Sequence, residues 1–225
     1  MFRPADLFDL SQTDHSVIFD GCEYAWEALN KIEAYLLANL RPALRNRCLG
    51  VPYIGERVFI GEGTIVEDGV MIKGPAIIGR NCEIRHNAYI REQVIIGDNC
   101  MVGNSCEIKN SILFNHAVAP HFNYIGDSIL GYKAHLGAGV KISNFKLMAG
   151  NINVEIEGKS FDTGLRKFGA LLGDGADVGC NAVLNPGSII GRGSVIYPNT
   201  NWRGVLGANM IVKNKGTVEV VQRRD

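Results

Sequence analysis

An apolar residue returns at every sixth position from Ile54 to Ile108, giving the unbroken series Ile54, Ile60, Val66, Ile72, Ile78, Ile84, Ile90, Ile96, Val102 and Ile108. A second series in a new frame runs Ile112, Val118, Tyr124, Leu130, Leu136 and Ile142, and a third runs Leu172, Val178, Leu184, Ile190 and Ile196. A period of six matches neither an amphipathic helix nor an alternating strand. A short fixed period means stacked repeats, each burying one side chain in a continuous core. The expected fold is an all-β solenoid, a parallel β-helix.

The hexads carry two further marks. They tend to carry Gly just after the apolar residue and a small residue four places after it, as in IGEGTI from Ile60, IGRNCE from Ile78, IGDNCM from Ile96, LGAGVK from Leu136 and IGRGSV from Ile190. Gly supplies positive φ at a corner, and a small side chain fits where two walls converge. This pattern resembles the hexapeptide repeat of left-handed parallel β-helix acyltransferases, and handedness is implied by that resemblance. At that family's three hexads per coil, the 21 hexads make about seven coils.

The array is bounded by other material. From Glu23 to about Leu44 the residues Trp26, Leu29, Ile32, Leu36 and Leu40 recur at three and four, the spacing of one helical face. An amphipathic helix of about five turns is expected there, with Pro42 ending or bending it and the first coil of the solenoid beneath it as the surface it caps. Residues 1–50 are thus read as a lead-in and capping helix, 51–212 as the β-helix, and 213–225 as a tail with a short strand from Thr217 and a disordered QRRD end. The frame breaks twice. Four residues rather than six separate Ile108 from Ile112, so two residues are expected to be lost at one corner. Between 143 and 169 no hexad frame exists, but Asn151 to Ile156 alternates and Glu157-Gly158 reads as a turn, so a hairpin or extended loop is expected to leave the prism. In a trimer such an excursion is placed to cover a neighbour's site.

Composition excludes more than it assigns. Lys and Arg total 23 and so do Asp and Glu, so bulk charge points to neither nucleic acid nor an anionic membrane. No run of about 18 apolar residues occurs and MFRPADLFDLSQ lacks the parts of a secretory signal, which makes a cytoplasmic location the expectation. Cys82, Cys100 and Cys106 occupy the small-residue position of their hexads and read as buried thiols. Cys22, Cys48 and Cys180 show no metal-ligand spacing, and no metal is expected.

The residues that carry chemistry cluster near the first frame change. His121 lies in AVAPHFNYIGDSILG, followed by Tyr124 and Ile125-Gly126-Asp127. This segment resembles the acetyltransferase half of the bifunctional enzymes that acetylate glucosamine-1-phosphate and then uridylate it. The registry extends without gaps to Lys109 and Arg91 upstream, and to Gly137-Ala138-Gly139 and Asn144 downstream; the resemblance covers about residues 50 to 212. It implies an acetyl-CoA-dependent N-acetyltransferase of UDP-N-acetylglucosamine biosynthesis. The acceptor would be an amino-sugar phosphate, glucosamine-1-phosphate-like, or a nucleotide-linked amino sugar.

In that reading His121 is the general base, since an ammonium must lose a proton to attack a thioester and imidazole titrates near neutrality. Arg91 and Lys109 would hold a phosphate as fork and point charge, while Tyr124, His135 and Asn144 would line the sugar. Ala138, Cys180 and Pro198 would contact acetyl-CoA in a groove between the prisms of a homotrimer. His15, His86 and His116 read as solvated or hydrogen-bonded surface residues.

The chain departs from the family in three places. His135 stands where the family has Asn, Asn144-Phe145-Lys146 and the excursion replace its Asn-Tyr-Asp-Gly segment and lysine, and the nucleotidyltransferase half has no counterpart. Lys146, Arg166 and Lys167 are candidates for the missing lysine. Two other readings stay open: a non-catalytic sugar-nucleotide-binding or assembly module on the same scaffold, and a γ-carbonic anhydrase-like site built from His116, His121 and His135.

Overall fold

The computed structural model describes residues 2–214 and 216. From Ala43 to Val212 the chain winds as a three-walled prism in which each strand pairs in parallel with strands one coil before and after. Among the described residues the first wall has nine strands, Ala43–Leu44 to Val205–Leu206. The second has nine, Arg47–Cys48 to Ile211–Val212, and the third eight, Tyr53–Ile54 to Asn201–Trp202. This is the left-handed β-helix architecture expected from the repeat, with about nine coils instead of seven. The extra coils are the first and last, whose hexads are too irregular to read from spacing.

The inward side chains form three columns. On the first wall Ile60, Ile78, Ile96, Leu113 and Leu130 lie in successive register and are all fully buried. The second hexad series therefore needs a correction, because Ile112, Val118 and Tyr124 face outward. Leu113, Ala119 and Ile125 fill the core positions, paired with Ile96, Val102 and Ile108. The two missing residues are removed one at a time, from Ile108 to Leu113 and again from Ile125 to Leu130. Spacing alone could not separate these alternatives, since in VAPHFNYIG either frame places an apolar or aromatic residue at its hexad positions.

From the second coil onward every departure from six falls at the corner leading from the third wall to the first. The two single deletions are there, the whole excursion between Ile142 and Leu172 is there, and so is the short step from Trp202 to Leu206. The other two corners keep strict length.

The first wall is apolar on both faces. In its strands the residue before the inward one is also apolar: Phe59, Ile77, Ile95, Ile112, Ile129, Leu171, Ile189 and Val205. Such a wall must be covered, and two segments cover it. The N-terminal segment contributes Phe2, Leu7, Phe8, Ile18, Phe19, Trp26, Leu29, Ile32, Leu36 and Leu40, and the excursion contributes Ile152, Val154, Ile156, Leu165 and Phe168, all in one buried cluster with the wall. Helical cover is present as expected, but it lies along the flank instead of across the end.

The helix is also shorter than its periodicity suggested. Ala25–Lys31 is a 3-10 helix and only Ile32–Asn39 is α-helical, while Leu44 already belongs to the first coil. The spacing explains the split: Trp26, Leu29 and Ile32 recur at three, which aligns on a 3-10 helix, and Ile32, Leu36 and Leu40 recur at four, which aligns on an α-helix. The excursion contains the expected hairpin, Asn153–Ile156 antiparallel to Lys159–Asp162 across the Glu157-Gly158 turn. The strand expected from Thr217 and the terminal QRRD lie outside the described residues.

Rings and backbone bonds fasten the N-terminal segment. Phe114 stands where the hexads place glycine, and its ring meets Phe8 at 5.0 Å and Phe19 at 5.7 Å. Asp174 takes the Asp9 amide at 2.6 Å and the Tyr132 amide at 2.8 Å. His15 Nδ1 lies 2.8 Å from the Tyr35 hydroxyl.

Two outcomes follow. Phe114→Ala should destabilise the protein by about 3–5 kcal/mol, measured by denaturant unfolding, because it empties a fully buried contact between wall and lead-in. Burial holds His15 below the ordinary histidine value of 6.5, with Asp14 and Asp98 offsetting part of the effect. The unfolded chain therefore binds the proton first as pH falls below that value, and folding stability drops there. Between about pH 7 and pH 5 the wild type should lose stability more steeply than His15→Gln in the same unfolding measurement.

Candidate functional site

The third wall presents two outward columns beside its buried one. The residue before each inward position gives Tyr89, Glu107, Tyr124 and Lys141, aligned across coils by the registers Glu107 to Tyr89, Glu107 to Tyr124 and Tyr124 to Lys141. The residue after it gives Lys73, Arg91, Lys109 and Gly126. Three cations on successive coils would repel in the absence of counter-charges. Each has one: Lys73 is 3.5 Å from Glu92, Arg91 is 2.9 Å from Glu107, and Lys109 is 3.2 Å from Asp127. The first two pairs are screened by solvent. The Lys109 pair is buried, with side-chain exposures of 15% and 6%.

Tyr124 folds over Gly126. A β-carbon at Gly126 would lie 2.8 Å from the Tyr124 hydroxyl and 2.6 Å from the Asn144 amide nitrogen, so only glycine leaves room for both groups. Asn144 Nδ2 donates to the Tyr124 hydroxyl at 3.4 Å and also to Asp127. Burial raises the Tyr124 phenol above its ordinary value, and the Glu107 carboxylate adds to the effect. Arg91, Lys109, Tyr124 and Asn144 are thus brought together on one wall and its far corner.

His121, Ala138, Cys180 and Pro198 are brought together elsewhere. They occupy the same position in successive coils, at the near corner where the second wall turns into the third. The carbonyl of His121 accepts from Gly139, that of Ala138 from Asn181 and that of Cys180 from Asn199, at 2.9 Å each. The following residue in each coil has positive φ, including Phe122 at 53° and Gly139 at 73°. His121 is exposed beside Phe122, and its ring nitrogens have no hydrogen-bond partner among the described residues.

His135 joins neither group: it sits on the second wall with Nδ1 2.8 Å from Asp177. His116 stacks edge-on with Tyr132 on another corner, so within one chain His116, His121 and His135 do not converge. Among the described residues no cluster of three or more His, Cys, Asp or Glu side chains is arranged to hold a metal ion.

Past Asn144 the excursion opens a cleft of about 670 Å³ lined by Ser143, Phe145, Lys146, Leu147, Met148, Asn185, Pro186 and Arg203. Leu147 is fully exposed at its tip. Of the three candidates for the missing lysine, Lys146 lines this cleft and bonds the Asn151 carbonyl. Arg166 lies over the Phe145 ring at 4.1 Å, and Lys167 is in the backbone bridge to Phe145.

Sequence reasoning passed over Asn123 and Asp127. Asn123 is buried at a position where other coils place a small residue. Its Oδ1 accepts from the His121 amide at 3.2 Å and its Nδ2 donates to the Gly137 carbonyl at 2.8 Å, tying the His121 turn to the next coil. The signal was available: a polar amide at a small-residue hexad position, two residues after the candidate base.

A family model described as the GMPPB C-terminal domain matches residues 72–159. A bifunctional sugar-1-phosphate nucleotidylyltransferase/acetyltransferase of Sulfurisphaera tokodaii is 34% identical over 87 residues, which is 39% of this chain and 22% of that protein. A bifunctional protein GlmU of Methanococcus maripaludis is 33% identical over 114 residues, 51% of this chain and 28% of that protein. The chain therefore spans about a quarter of the length of these curated relatives. Among solved structures, the N-acyltransferase AntD of Bacillus cereus aligns over 89% of this chain and 91% of its own at 13% identity and a TM-score of 0.36, too distant to carry an argument. No helix among the described residues is long and apolar enough to cross a membrane.

Asn123→Ala should cost about 1–3 kcal/mol by removing the acceptor of the His121 amide and the nearer of two donors to the buried Gly137 carbonyl, which keeps only the Val140 amide at 3.3 Å. It should also loosen the His121 turn, read as faster amide exchange at Phe122 and Gly139.

Proposed function

We propose that this chain is an acyltransferase of the hexapeptide-repeat β-helix class, moving an acetyl group from acetyl-CoA to the amine of an amino-sugar phosphate or nucleotide-linked amino sugar. The observation that carries the reading is the pairing of two columns on adjoining surfaces. One corner stacks His121 with Ala138, Cys180 and Pro198; the wall beside it carries Arg91, Lys109 and Tyr124, with Asn144 at its far edge. The likeness to bifunctional nucleotidylyltransferase/acetyltransferases over the repeat array supports it.

The chemistry assigned to each group follows from its kind. The His121 ring, exposed and without a hydrogen-bond partner among the described residues, is the base that takes one proton from the acceptor ammonium so that the freed nitrogen lone pair attacks the thioester carbonyl. The second proton that nitrogen sheds goes to the departing sulfur. The C–N bond forms, the C–S bond breaks, and the sulfur leaves to become the CoA thiol after taking up a proton. Arg91 and Lys109 meet the acceptor's phosphate, and the Tyr124 hydroxyl with the Asn144 amide meets sugar hydroxyls. Ala138, Cys180 and Pro198 offer a narrow strip of small and apolar surface along which the extended pantetheine chain runs. His135, held by Asp177, is assigned a part in binding the acceptor only if a second copy brings it to the pocket.

Within one chain the base and the Lys109 corner lie at opposite edges of the third wall. A homotrimer, in which the wall of one copy faces the corner of another, closes that gap and belongs to the same proposal. It would work in the cytoplasm, where acetyl-CoA is supplied.

The test is thiol release from acetyl-CoA with glucosamine-1-phosphate as acceptor, alongside calorimetric titration of acetyl-CoA. His121→Ala should lower kcat by about 10²–10⁴ while leaving acetyl-CoA affinity within a few-fold of wild type. Full turnover in His121→Ala would remove the base assignment, and a wild-type protein that binds a nucleotide sugar but not acetyl-CoA would replace the enzyme with a binding module.

A further inference from the structure

Asp127 has a surrounding unlike that of any other carboxylate on the third wall. Its residue is 4% exposed, and three side chains converge on it. Lys109 Nζ lies 3.2 Å from Oδ2, Asn110 Nδ2 donates to Oδ1 at 2.8 Å, and Asn144 Nδ2 donates to Oδ2. Glu92 and Glu107, by contrast, are partly open to solvent, and the side-chain ion pairs they make are with Lys73 and Arg91. Asp127 holds φ at 50°, as Gln93 and Asn110 hold 62° and 42° at the same corner of the preceding coils, a region that aspartate and asparagine enter more readily than most side chains.

The backbone of Asp127 adds a second tie. Its carbonyl accepts from the Gly169 amide at 2.8 Å and its amide donates to the Lys109 carbonyl at 3.1 Å. Asn144 is where the chain leaves the prism, and Gly169 is where it returns. One residue therefore grips both feet of the excursion, and its carboxylate sets the positions of Lys109 and Asn144 next to Tyr124.

From this geometry we propose that Asp127 is the positioning residue of the acceptor corner, resting on the assignment of Lys109, Tyr124 and Asn144 to the acceptor. The carboxylate touches no substrate. It consumes one donor of Asn144 and so fixes which way that amide turns, leaving the Asn144 oxygen and the Tyr124 hydroxyl to face the ligand. It also neutralises Lys109 at rest, so the acceptor's phosphate meets Lys109 through a donor direction that the carboxylate leaves free, and a ligand that offers charge alone must compete with a buried carboxylate. The site therefore discriminates by hydrogen-bond geometry on the sugar more than by charge on the phosphate.

Asp127→Asn keeps the shape and removes the charge, and it turns one amide donor toward the donors already there. Its KM for the amino-sugar acceptor should rise at least tenfold, with the KM for acetyl-CoA within twofold of wild type, a split that simple loss of stability would not produce. The side-chain amide protons of Asn144, followed by NMR, should be protected from solvent exchange in the wild type and exchange rapidly in the variant. Should Asp127→Asn fail to fold, Asp127→Glu carries the same test: the charge stays, but the carboxylate moves about one bond length and misses Asn110 and Asn144. An unchanged Asn144 exchange rate in a folded variant overturns the proposal. If wild-type protein turns over no acceptor, the acceptor assignment fails on its own, while the Asn144 exchange still decides whether Asp127 is the clamp.

Discussion

The structure depends on coil closure. A parallel ladder holds only if each pass around the prism returns the chain to register one strand spacing further on, and one inward side chain per wall then stacks on its counterpart. Ile60, Ile78, Ile96, Leu113 and Leu130 meet that condition although two of the steps between them are one residue short. Strand register is conserved at the expense of the corners, because shifting register by one residue would turn every inward aliphatic outward.

All later irregularity is confined to a single corner, and the candidate acceptor residues Lys109 and Asn144 lie there. At the regular corner from the first wall to the second, side chains are committed to repeating tasks, such as the Asp98 carboxylate taking the Arg80 amide and the Asn115 amide oxygen taking the Asp98 amide. At the irregular corner the shortened turns bring Lys109, Asn110 and Asp127 onto adjacent coils, and the excursion starts one coil later at Asn144. A solenoid has few concave surfaces of its own. Breaking the repeat at one edge creates a recess without disturbing the core behind it.

The first wall shows the same economy from the other side. Its doublets, such as Ile77-Ile78 and Ile95-Ile96, put an aliphatic residue on each face, and the outer face needs cover from outside the repeat. The lead-in and the excursion supply it together, meeting where Tyr24 approaches Phe161 of the hairpin at 5.9 Å and Trp26 approaches Phe168 at 6.2 Å. Among the described residues this cover is confined to the first wall, and the two columns of candidate site residues lie on the edges of the third.

The hexad period by itself determined the solenoid, because one buried residue in six fits neither a helix nor an alternating strand; family likeness added three walls per coil, and the alternation of Asn151 to Ile156 before Glu157-Gly158 gave the excursion's hairpin. Local spacing gave the helical segment as one continuous helix, and its division into a 3-10 half and an α half came from the structure. The tertiary structure alone decided the frame at Leu113, Ala119 and Ile125, because the alternative Ile112, Val118 and Tyr124 is equally apolar and only cross-coil pairing distinguishes them. It alone decided that the lead-in lies on the flank, since the doublets that demand it recur once per coil, at about three times the period that dominates the sequence. And it alone set Asp127 behind Lys109 and Asn144, because a hydrogen bond between coils joins residues about seventeen apart whose partnership no local pattern records.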